Sequence, residues 1–60
     1  MSAVVVGSVV SPSNGKTYEV KWDSSNRDAY VSYAGWAAVG SASSENEALS
    51  QATNWLASNS

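Results

Sequence analysis

TYEVKWDSSNRDAYVSY, residues 17–33, is the stretch whose reading decides the fold. Its first seven residues alternate. Tyr18, Val20 and Trp22 point one way, and Glu19 and Lys21 the other, the two-residue period of a half-buried strand. The polar run 24–27 has loop composition. Residues 29–33 then resume the alternation with Ala29, Val31 and Tyr33. If the four-residue loop sets Asp23 opposite Asp28, Trp22 faces Ala29, Val20 faces Val31 and Tyr18 faces Tyr33. Facing residues share one side of a sheet, so this register gathers the large side chains of both strands on one face.

Outward from this hairpin the pattern continues on both sides. Residues 3–11, AVVVGSVVS, are β-branched and read as a strand. The following SPSNGK stops it: Pro12 cannot donate to a ladder, and Asn14-Gly15 is a strong hairpin-turn signal. Pairing across that turn puts Val5, Gly7 and Val9 on the apolar face. On the other side, Ala34-Gly35 reads as a two-residue turn into a last strand, 36–41. Tyr33 then faces Trp36, and Val31 faces Ala38. The opposite face collects Val4, Val6, Ser8, Val10, Glu19, Lys21, Tyr30, Ser32, Ala37 and Val39.

Past residue 42 the period changes. Ala48, Leu49, Ala52, Trp55 and Leu56 form one stripe of a helix expected over about 45–58. Ser44 followed by Glu47 is a capping box, and Glu45 and Glu47 suit the positive end of the helix dipole. The expected fold is α+β: an antiparallel meander of three or four strands, about 3–11, 17–23, 29–33 and 36–41, packed on one C-terminal helix. Most aromatics, Trp55 among them, are then core, and Trp36 beside Gly35 is partly exposed.

Sixty residues allow one small domain of marginal stability. The chain has no Cys and no His, which removes disulfides, ordinary zinc or copper sites and most nucleophile–base pairs. Neither a catalytic nor a cofactor-binding nor a metal-binding residue is expected. Asp23 and Asp28 in DSSNRD lack the Gly and distant Glu of a calcium loop and read as turn formers. VGSASS has too few glycines and no following Lys for a phosphate loop, so it reads as a helix cap. A formal net charge of −2 gives no field for phosphate backbones or anionic membranes. The N-terminal run is uncharged and interrupted at Gly7 and Ser8, unlike a signal peptide, and no stretch is long enough to span a bilayer. A cytoplasmic location is expected.

The layout, three alternating strands with Trp22, the Ser44–Glu47 helix entry and a stripe ending at Trp55 and Leu56, resembles two kinds of small sheet-plus-helix domain over residues 17–57. These are the arm-binding domains of phage-type integrases and the plant ethylene-response type of DNA-binding domain. The resemblance implies an outer sheet face that enters a groove of nucleic acid, here through Lys21, Tyr30, Ser32 and Arg27. Glu19 and Asp28 share that region, and Lys16, Lys21 and Arg27 are the only basic residues. Neutralising phosphates takes several.

Two functions are therefore carried forward. The first is a non-catalytic interaction module, a homodimer or a binder of another protein, using the outer face or the N-terminal strand through Val4, Val6, Val10, Tyr30 and Val39. The alternative is weak nucleic-acid binding through Lys16, Lys21, Arg27 and Tyr30.

Overall fold

The computed structural model describes residues 3–60. Four strands, β1 (Val4–Val10), β2 (Thr17–Asp23), β3 (Asp28–Ser32) and β4 (Trp36–Ser41), are followed by one helix, α1 (Glu45–Asn59). The strands form one antiparallel sheet in the order β1-β2-β3-β4, an α+β fold with the helix on one face.

The central hairpin pairs as its alternation requires: Val20 with Val31, Trp22 with Ala29 and Asp23 with Asp28. Asp23 is buried and organises the loop. Its Oδ1 accepts from the N–H groups of Ser25 (3.0 Å) and Asn26 (3.3 Å), and its Oδ2 accepts from Asn26 Nδ2 (3.2 Å). Tyr18 and Tyr33 meet edge to face at 5.7 Å, and Tyr33 meets Trp55 likewise at 5.5 Å. Such pairs add roughly 0.5–1.5 kcal/mol beyond their burial. The first turn centres on Asn14-Gly15. Gly15 takes φ 75°, where a side chain would be strained, and Asn14 Oδ1 accepts from Lys16 N–H.

The register differs from expectation in both edge strands. In β1, Val5 pairs with Lys21 but Gly7 with Val20, so Val6 is an extra residue, a β-bulge. In β4, Ala38 pairs with Tyr30 but Gly40 with Ala29, so Val39 is a second bulge. The β3–β4 connection is also one residue longer than a two-residue turn. Ser32, not Tyr33, pairs with Trp36, and Ala34 and Gly35 in the connection have φ 53° and 92°.

A one-residue slip exchanges the two faces of a strand. Trp36 therefore lies on the open face, whereas Ala37 and Val39 turn toward the helix. The helix presents Ala48 and Ala52, both fully buried, to the sheet. So close an approach suits Ala37 and Val39 beneath it better than an indole ring.

The core is Val20, Ala29, Val31, Ala42, Ala48, Ala52 and Leu56, with Trp22, Leu49 and Trp55 half-buried against it. Trp22 satisfies its ring N–H on the carbonyl of Ala42, 2.8 Å away. Ser44 caps the helix, its Oγ accepting from Glu47 N–H at 3.2 Å. The carboxylate of Glu47 reaches back to the N–H and hydroxyl of Ser43, one residue beyond the usual capping-box partner. At the far end Ser60 and the first loop share hydroxyl bonds through Ser11 and Ser13, which moors the helix to the β1–β2 hairpin.

Candidate interaction face on the open side of the sheet

One helix covers one side of the sheet. The other side is built by the alternate residues of four strands, and its register defines two rows across it. One row runs Val5, Lys21, Tyr30, Ala38. The second runs Ser8, Glu19, Ser32, Trp36, with the N–H of Glu19 bonded to the hydroxyl of Ser32 at 2.9 Å.

Three large apolar residues stand exposed on this side: Val5 (50 %), Val10 (57 %) and Trp36 (44 %). Lys21 holds its ammonium 4.3 Å from the centre of the Trp36 ring, within cation–π range. Between them lies a shallow cleft of about 180 Å³, lined by Ala3, Lys21, Tyr30 and Trp36. Enclosed sites for drug-sized ligands are usually about 300–1,000 Å³. The cleft is a surface feature by comparison.

The residues named from the sequence fall in different places. Tyr30 and Val10 are on the open face. Val4 is exposed but pairs with Trp22, at the corner of the helix side. Val6 and Val39 are corrected by the two bulges: both pack half-buried against the core instead of facing outward. Val5 and Trp36 take the outward positions, and the sequence reading placed both on the apolar side. A signal was present. Each bulged Val is followed by a glycine, Gly7 and Gly40, and a glycine inside a strand pattern marks a bulge.

Lys16, Lys21 and Arg27 do not form a patch. Lys16 lies before β2, Arg27 beyond its other end, and Lys21 between them near Glu19. Asp23 spends both carboxylate oxygens on its own loop. Among the described residues no group of three or more potential ligands could hold a metal ion, and no helix is long and apolar enough to cross a membrane.

Glu47, at the helix entry, is held below the ordinary carboxylate range. The cause is first the Ser43 N–H and then the Ser43 hydroxyl, against a small opposing effect of burial. It serves the cap and lies on the helix side. Compared with protein-family models, with curated proteins and with solved structures, the chain finds no match.

Proposed function

We propose that this chain is a non-catalytic interaction module working through the open face of its sheet. The observation that carries this reading is exposed Val5 and Trp36 beside half-buried Tyr30 and Lys21, on a face that no described element covers. A solvated antiparallel face is normally polar. Aromatic rings with a polar tip are the side chains that supply most binding energy at interfaces. The absence of His and Cys from the sequence, with Asp23 committed to its loop, leaves little for acid–base or nucleophilic chemistry.

The test uses small probes. Indole titrated into isotope-labelled protein should shift the amide signals of Lys21, Tyr30 and Trp36. Shifts confined to the helix, or none at all, would overturn the reading. A single-stranded oligonucleotide is the second probe. Binding at the same amides that collapses as salt rises would favour nucleic acid as the partner.

A further inference from the structure

We infer that the occupant of the open face is a second copy of this chain, stacked face to face about a two-fold axis. The inference rests on the open-face reading above and adds the partner and its arrangement.

The argument comes from the two rows. Place a two-fold axis between two stacked sheets, running across the strands at the level of Val20. It turns the row Val5, Lys21, Tyr30, Ala38 of one copy onto the row Ser8, Glu19, Ser32, Trp36 of the other. Val5 then lies over Ser8, Lys21 over Glu19, Tyr30 over Ser32 and Trp36 over Ala38. At each of the four strands a larger side chain meets a smaller one, or a cation meets an anion. Because the contact is isologous, every pairing occurs twice.

The bulges decide which residues meet at the two edge strands: they put Val5 and Trp36 on the open face, where an unbulged register would put Val6, Ala37 and Val39. The same bulges blunt both edge strands, since a bulge interrupts the regular row of free N–H and C=O groups. Face-to-face stacking is thereby favoured over edge-to-edge pairing. Sheets stack about 10 Å apart, a gap side chains from both copies fill.

The area sets the size class of the interface. Four strands about 4.8 Å apart, at roughly 3.3 Å per residue, present on the order of 400 Å² in projection. Standard interfaces bury about 800 Å² per partner. An interface of this size falls in the class of weak, transient encounters, so the dimer is reversible. The two Lys21–Glu19 contacts set its register more than its affinity.

The experiment is a charge exchange read by sedimentation. The parent protein should shift from monomer to dimer as its concentration rises toward about 1 mM, where an association of even about −4.1 kcal/mol is half formed. Glu19→Lys alone and Lys21→Glu alone place like charges across the axis, and each should weaken self-association by about tenfold or more. An equimolar mixture of the two variants restores opposite charges at both contacts and should associate again. Should a variant fail to fold, an isotope-filtered NOE in the parent decides, between the Trp36 ring of one copy and the Ala38 methyl of the other.

A parent that stays monomeric overturns the inference. If indole still binds the face, the open-face reading survives with another partner; if it does not, both fall. A dimer whose variants associate like the parent, without the Trp36–Ala38 NOE, overturns the arrangement.

Discussion

Leu49 rests on Gly7: a Cβ added to that glycine would stand 3.2 Å from Leu49 Cδ2. The glycine follows the β1 bulge, where the strand passes beneath the helix. A side chain there must push Leu49 aside. Gly7→Val should destabilise the protein by about 1–3 kcal/mol, the usual cost of overpacking. In a Leu49→Ala background the same change should cost clearly less, because the space is open. Additive losses in urea unfolding of the four proteins would mean the two residues are not in contact.

Leu56 is the largest fully buried side chain. Leu56→Ala should cost about 2–5 kcal/mol. A core this small supplies only about 3–5 kcal/mol in all, so the variant should be largely unfolded at 25 °C. Leu49→Ala, at a half-buried position, should cost less. The comparison is read from urea midpoints, and a reversed order would place the helix in a different rotation on the sheet.

The β4 register separates two tryptophans. Trp55 packs on Tyr33 beneath the helix, whereas Trp36 lies on the open face against Lys21. Trp55→Ala should cost at least about 2 kcal/mol. Trp36→Ala should stay within about 1 kcal/mol, the scale of an exposed cation–π contact. Equal losses on thermal unfolding would favour the unbulged register, with both rings inside.

The helix entry makes a prediction about two adjacent serines. Ser44→Ala removes the acceptor for Glu47 N–H and should cost about 0.5–2 kcal/mol. Ser43→Ala removes one hydroxyl and leaves the backbone N–H on the Glu47 carboxylate, so its loss should be smaller. Melting temperatures of the pair decide between them.

Glu47 carries the pH dependence of that cap. Its folded pKa is lowered from 4.5. A depressed carboxylate contributes stability that is fully present above the unfolded value and is lost as pH falls through the folded one. Glu47→Gln should therefore be less stable than the parent at pH 7, with the difference shrinking below about pH 4.5. A gap that widens toward acid would contradict the Ser43 contacts.

Much of this molecule was legible from local pattern. The alternation through Tyr18, Val20 and Trp22 gave the central register, because a slip there would turn large apolar side chains to water. The Ser44–Glu47 spacing and the stripe from Ala48 to Leu56 located the helix, since a cap and an amphipathic face are both short-range features. What tertiary structure alone decided was the two edges of the sheet. Val6 and Val39 turn inward, and Val5 and Trp36 outward, because each edge strand gains an extra residue where it passes under the helix. Gly7 and Gly40 permit those bulges, but they do not require them. The choice is made by Ala48, Ala52 and Leu49 packing onto strands distant in sequence. No local preference of a Val-rich strand can express that energy.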